Sequence, residues 1–319
     1  LTLSFTSLLL EKHQNFKVKK AIAISQHPQG LDIESFYLSP NLNRQVLESI
    51  KILSKDLKSN SPPPITPNRR KCAICDWKNL CNSEASFKGH LTEVSGVGAR
   101  RVEILKNLGI YNIKDLSTAD PISLKESLGE IHGKIAFQLI KQASVQVQNK
   151  KQRINNSSPL PELASAKGVL IYDIESDPDN KHDFLHGFIK LKRRSNGKWD
   201  FKKATYQPML TIDRTNESFI WKRIIKKLNY YNEWPILHYG ETESLAICRL
   251  AKRQGMQEIE IENINNRFID IHSRVVNNWL LPINNYSLKT VANYIGFKWS
   301  KEGADGPMAL LNWRQWKSS

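Results

Sequence analysis

Residues 168–179, GVLIYDIESDPD, constrain this chain more than any other stretch. The apolar, β-branched start predicts a buried strand. Asp173 and Glu175 then stand two positions apart. Alternate side chains on a strand share a face, so the two carboxylates project together while Ile174 turns into the core. Neighbouring carboxylates repel unless a cation neutralises them, and hard cations such as Mg²⁺ or Mn²⁺ prefer oxygen ligands. The same letters also fit an acidic strand end running into a turn, because Asp177, Pro178, Asp179 and Asn180 come next.

What surrounds that strand decides between the two. In 319 residues, 47 Lys and Arg stand against 31 Asp and Glu, a net charge of +16. A globular chain this basic meets a polyanion, nucleic acid first, unless its cations merely solvate the surface. No apolar run approaches the roughly 20 residues of a membrane helix. Four cysteines, three of them clustered, make no disulfide framework and point to a reducing, cytoplasmic setting. The first residue is Leu, and the expectation is a chain that begins upstream.

Three further segments precede the strand. Residues 1–60 predict helix, strand, strand, helix, with strands over 18–25 and 31–38 and a helix over 41–57. This is too little to bury a core alone and fits the end of a larger α/β domain. A Pro-rich connector, SPPPITPNRR, leads to Cys72, Cys75 and Cys81, a C-x₂-C-x₅-C pattern. Three thiolates need a fourth ligand: His90 would close a Cys₃His zinc site, and a distant upstream Cys would close an iron–sulfur site. Cys248 reads as an ordinary buried thiol on the apolar side of a helix.

Residues 87–148 carry Gly96-Val97-Gly98 between apolar helical segments, with packing positions at Leu91, Val94, Val102, Leu105, Leu108, Ile110, Ile113 and Leu116. The glycines admit close backbone approach to a phosphate, and the next helix N-terminus aims N–H groups at the anion. Arg100, Arg101 and Lys106 add charge, and such contacts hold the backbone without reading sequence. A degenerate second copy is expected over 128–142. A structural helical hairpin is the alternative.

After a polar linker, 149–167, the order of elements predicts βββαβα. Lys190, Lys192, Arg193, Arg194, Lys198, Lys202 and Lys203 make the second and third strands a candidate strand-guiding surface or a solvated hairpin. Glu243 opens a helix after the fourth strand, either as a further metal carboxylate or as an acidic residue favoured by the helix dipole. Asp270 lies in FIDIHSRVV, and Ser287 is a predicted N-cap.

These motifs resemble known families. Arg69, Arg70, Lys71, Cys72, Cys75, Asp76, Trp77 and Cys81 match the C-terminal end of RecB-like nucleases of the PD-(D/E)xK superfamily, whose iron–sulfur members bind a 4Fe–4S cluster through such cysteines. The hairpin is similar to helix-hairpin-helix segments. DIESDPD, LHGF, HYGxxE, FIDIHSRVV, YSLKTVANYIGFKW and EGADGPMALLNWRQW resemble the YprB-type ribonuclease H-like domain of the DEDD 3′–5′ exonucleases. The resemblance implies a multidomain α/β protein: 1–82 as the end of a restriction-endonuclease-like domain, 83–148 as the helix-hairpin-helix, and 168–319 as a ribonuclease H-like domain. It implies a metal-dependent nuclease acting on nucleic acid, DNA before RNA, in repair or processing. Asp173 and Glu175 match the first motif, and Glu243 falls where the second motif has Asp. Asp270 matches a further acidic position, substrate-side or structural. The last Tyr- or His-led motif is expected beyond Ser319, and the nuclease motifs of the first domain upstream of Leu1, leaving this stretch inactive by itself. A nucleic-acid-binding protein without catalysis, with structural iron–sulfur or zinc, is the alternative.

Overall fold

A computed structural model describes residues 2–27, 30–68, 72, 75–212, 216–300 and 305–318; the side chains of residues 26, 27, 131 and 132 are not described. Arg69, Arg70 and Lys71 of the cysteine motif lie outside these residues, as do residues 302–304 of the last motif. The chain divides into two compact units, Leu1–Thr66 and Pro67–Ser319. The cysteine-bearing segment, expected with the N-terminal piece, thus belongs to the second unit.

In the first unit α1 (Thr2–Gln14) precedes β1 (Lys20–His27) and β2 (Gly30–Tyr37), an antiparallel pair running from Lys20↔Tyr37 to His27↔Gly30. Then α2 (Pro40–Leu57) begins, its N-terminus capped by Ser39, whose hydroxyl accepts from Leu42 N–H at 3.3 Å. Ile22, Ile24, Leu31 and Ile33 of the strand pair are exposed. Two strands cannot bury both of their faces.

The second unit opens with helices. They are α3 (Lys78–Phe87), a 3₁₀ turn at Leu91–Glu93, α4 (Ala99–Asn107), α5 (Ile113–Ser117), α6 (Pro121–Gly133) and α7 (Ala136–Gln148). Leu91, Val94, Val97, Val102, Leu105, Leu116, Leu124, Leu128, Leu139 and Ala143 share one core, with Ile110 and Ile113 against it. Leu108, expected in that core, is exposed instead. It caps the C-terminus of α4, beyond the helical turn whose side chains face inward. Gly129 breaks α6 with φ 70°, and α7 comes next.

The linker contributes β3 (Gln152–Arg153), which pairs antiparallel with the distant β9 (Trp279–Leu280). Between them lie β4 (Gly168–Asp177), β5 (His182–Lys192), β6 (Thr205–Leu210), α8 (Glu217–Tyr230), β7 (Ile236–His238), α9 (Thr242–Arg253), α10 (Glu258–Asn265), β8 (Phe268–Asp270) and α11 (Ile271–Asn278). After β9 come α12 (Leu288–Tyr294) and α13 (Gly306–Ser318). The mixed sheet has the order β6-β5-β4-β7-β8, with β4 antiparallel to β5 and parallel to β7. The expected βββαβα is present, and β8 adds a fifth strand.

One face of this sheet is the core. Leu170, Tyr172 and Ile174 of β4 and Phe188 of β5 pack against Ile220, Trp221, Ile224 and Leu228 of α8 and Ala246, Ile247, Leu250 and Ala251 of α9. Each large apolar side chain buried here contributes about 1.5–3 kcal/mol of transfer free energy. The helical segment is fastened to the C-terminal part by buried polar contacts. Gln142 of α7 donates to the Leu281 carbonyl at 2.8 Å and accepts from the Tyr286 hydroxyl at 3.0 Å. Gln146 donates to the Ile283 carbonyl at 3.0 Å, and Asn284 donates to Glu93 at 3.1 Å.

Candidate active site

The alternation of β4 sets the site. Leu170, Tyr172 and Ile174 are buried on the helix-covered face, and Ile171, Asp173 and Glu175 lie on the other. Asp173 stands opposite Gly187 of β5, and Glu175 opposite Leu185. The register slips between Glu175 and Ser176, a bulge that ends the regular pairing beside the carboxylates. Burial raises the Asp173 carboxyl above its usual value, and the negative charge of Glu243 adds to the rise. The Asp173 side chain keeps an open path to solvent, so neighbours crowd it without sealing it. Glu175 is raised by burial first, then by Asp173 and Asp305.

Glu243 lies in the first turn of α9 and is buried, 8 % exposed. Its Oε2 faces Nδ1 of His238, at the end of β7, across 3.6 Å, too far for a hydrogen bond. Among the described residues neither atom has a hydrogen-bond partner. Such an oxygen is costly to leave buried and is the chemistry a proton or cation would satisfy. Glu243 thus stands both in the first turn of α9 and close enough to Asp173 to act on its carboxyl.

Asp270 does something different. Its Oδ1 accepts from Gly240 N–H at 2.8 Å and from His272 N–H at 2.9 Å. It caps α11 and ties down the loop after β7 that leads to Glu243, a structural use of that carboxylate.

Two neighbours of the carboxylates went unnoticed in the sequence. Tyr206, on edge strand β6, covers Gly187: a Cβ there would lie 2.8 Å from the tyrosine ring and hydroxyl. Burial raises the Tyr206 phenol, and the charges of Asp173 and Glu175 raise it further. Asp305 caps α13, accepting from Met308 N–H at 3.1 Å, and takes an ion pair from Lys289 at 3.2 Å. The adjoining Gly306 lies so close that a Cβ would be 3.3 Å from Glu175 Oε2. Asp-Gly-Pro before an amphipathic run signals that cap, whereas Tyr206 carries no sequence signal, because its partner Gly187 is remote in the chain. A cleft of about 380 Å³ opens beside Asp173, walled by Ile171, Ile189, Tyr206, Leu237, Tyr239 and Leu288.

Among the described residues no three His, Cys, Asp or Glu side chains stand close enough to hold a metal between them. Asp173 and Glu175 nevertheless fit Mg²⁺, which dehydrates reluctantly and uses one or two carboxylates together with waters and substrate phosphates. Cys75 N–H bonds to the Cys72 carbonyl at 3.3 Å, and Cys81 lies on α3. His90, expected as the fourth ligand of a zinc site, caps the 3₁₀ turn, with Nδ1 2.8 Å from Thr92 Oγ1. Among the described residues no cluster supports an iron–sulfur or zinc centre. Cys248 is half-buried, and its thiol points to Asn265 Oδ1 at 3.6 Å.

In the first hairpin Gly96 has φ +90°, which only glycine adopts without strain, and Gly98 caps α4. Val97 is buried and pins the turn, while Arg100 and Lys106 are exposed. Arg101, expected among the phosphate contacts, donates to the Gly96 carbonyl at 2.5 Å and so braces the turn. On the basic strand pair, Arg193 donates to the Leu163 and Ala164 carbonyls, both at 2.6 Å, and Arg194 pairs with Asp200. Both arginines are engaged within the protein, and Lys202 and Lys203, expected on the third strand, lie in a 3₁₀ turn before β6.

Residues 170–319 match the ribonuclease H superfamily (RNase_H_2). That match spans a little under half of the chain and covers the mixed sheet, the paired carboxylates and α13. The ribonuclease H-like fold expected from the sequence is therefore established for this part. No curated protein and no solved structure matches the chain.

Proposed function

We propose that this protein is a divalent-metal-dependent 3′–5′ exonuclease acting on DNA. The observation that carries the reading is the crowding of Asp173 and Glu175 on the open sheet face. Burial and then the charge of Glu243 raise Asp173, while burial and then the charges of Asp173 and Asp305 raise Glu175. Crowded carboxylates that are not neutralised by Arg or Lys favour a cation. Asp173 and Glu175 would hold Mg²⁺ or Mn²⁺, which when bound supplies an activated water and neutralises charge on phosphoryl oxygens.

The remaining residues do the positioning. Tyr206 and Tyr239 wall the cleft beside Asp173, so a strand end entering there meets aromatic surface on two sides. Asp270 fixes the loop that brings Glu243 to its place. The turn at Gly96 to Gly98 and the N-terminus of α4, with Arg100 and Lys106 exposed nearby, suit phosphate oxygens and would hold the substrate backbone.

The test uses the full chain with a 5′-labelled DNA strand. Mg²⁺-dependent shortening from the 3′ end is expected, with turnover lost in Asp173→Ala and strand binding retained. Cleavage by Asp173→Ala at the parent rate overturns the assignment. Binding without cleavage is the second reading, favoured by the structural use of Asp270; it predicts strand retention with no metal-dependent product.

A further inference from the structure

A second surface, separate from the carboxylates, combines cations and an exposed aromatic ring. The inner side of α7 buries Ala136, Leu139 and Ala143 in the helical core. Its outer side presents Phe137 and Lys141, one turn apart, with Lys134 in the turn before it. These positions fall on one helical face because residues three, four and seven apart align. Phe137 is 57 % exposed, and the Lys141 ammonium lies 4.4 Å from its ring centre.

The opposing wall comes from the β3–β9 pair. Arg153 registers with Trp279, and its guanidinium lies 5.3 Å from the Trp279 ring centre. Lys151 stands over the same ring at 6.0 Å. Between the walls is a groove of about 370 Å³. Among the described residues no carboxylate lines it. Three cations, Lys134, Lys141 and Arg153, line the groove, and cations without a counter-charge beside them attract a polyanion. A ring left half in water beside an ammonium is a platform on which a base can stack, and the cations track the backbone.

We infer that this groove binds single-stranded DNA. A duplex conceals its base faces within the stack, and a protein surface offering cations alone would serve its phosphates as well. The exposed Phe137 ring on the groove wall is what favours an unstacked strand. The groove lies between α7 and the β3–β9 pair, parts of the chain that the Gln142 contacts with Leu281 and Tyr286 also join. Binding there does not depend on hydrolysis.

The experiment measures anisotropy of labelled oligo(dT) with the full chain in EDTA, across a range of salt concentrations. Lys141→Glu with Arg153→Glu should weaken binding and lower the salt slope by about one per lost phosphate contact. Phe137→Ala should weaken oligo(dT) binding by about tenfold, with the salt slope unchanged and duplex binding unaffected. Phe137→Leu keeps the bulk without the flat ring and should behave as Phe137→Ala. Unchanged affinity in either Phe137 variant, equal losses for duplex and single strand, or tighter binding of oligo(U) than oligo(dT) overturns the inference. Because no metal is present, a failed nuclease reading would leave these outcomes untouched.

Discussion

The attachment of α13 to β4 gives a prediction whose size can be worked out. Asp177, at the end of β4, has a side chain only 2 % exposed, and Arg314 of α13 is 42 % exposed. Arg314 Nε and Nη2 donate to the two Asp177 oxygens at 3.1 and 2.6 Å, and Nη2 also reaches Asp179 at 2.5 Å. These contacts hold the Asp177 carboxyl far below the usual carboxylate range. Removing one partner of a fully buried pair costs about 3–5 kcal/mol, and an exposed pair is worth about 0–1. This pair is buried at one end, and Asn180 still donates to Asp177 at 2.8 Å after the arginine has gone. Arg314→Met, which keeps the stem, should therefore cost about 2 kcal/mol, a fall in melting temperature of roughly 5 °C. Adding Asp177→Asn removes the stranded charge, so the double variant should melt above Arg314→Met. The pH dependence has a definite sign. A carboxyl with a lowered folded pKa stabilises above its unfolded value, about 3.9, and that stability fades as pH falls below it. The gap between parent and Arg314→Met should thus narrow below about pH 4. A single variant that melts with the parent at pH 7, or a double variant that melts below the single, would refute the reasoning.

Asp173 and Glu175 make the opposite prediction. Their raised pKa values mean that ionisation at neutral pH costs stability, so Asp173→Asn should melt slightly above the parent in metal-free buffer, by on the order of 0.5 kcal/mol after solvent screening. Mg²⁺ should raise the parent melting temperature and leave the variant unmoved; a destabilised variant or an equal Mg²⁺ response would contradict this. Gly187→Ala places a methyl against Tyr206, and because that ring is on an exposed edge it should swing away at little cost in stability. The expected result is a normal melting curve with reduced turnover, and parent-like turnover would remove Tyr206 from the site.

Local chemistry made much of this protein legible in its sequence. The period of two in LIYDIES placed Leu170, Tyr172 and Ile174 on one face and Asp173 with Glu175 on the other, because strand geometry depends on neighbours along the chain alone. The Ser287 cap, the glycine turn at 96–98 and the order of strands and helices are equally local. Contacts between residues far apart were decided only in three dimensions. Gly187 made room for Tyr206, Asp270 was spent on capping, Arg101 and Arg193 turned inward to carbonyls, and Arg314 locked Asp177 from 137 positions away. A sequence states which charges a chain carries, whereas the partner each charge meets depends on distances that exist only after the sheet has closed and the helices have packed.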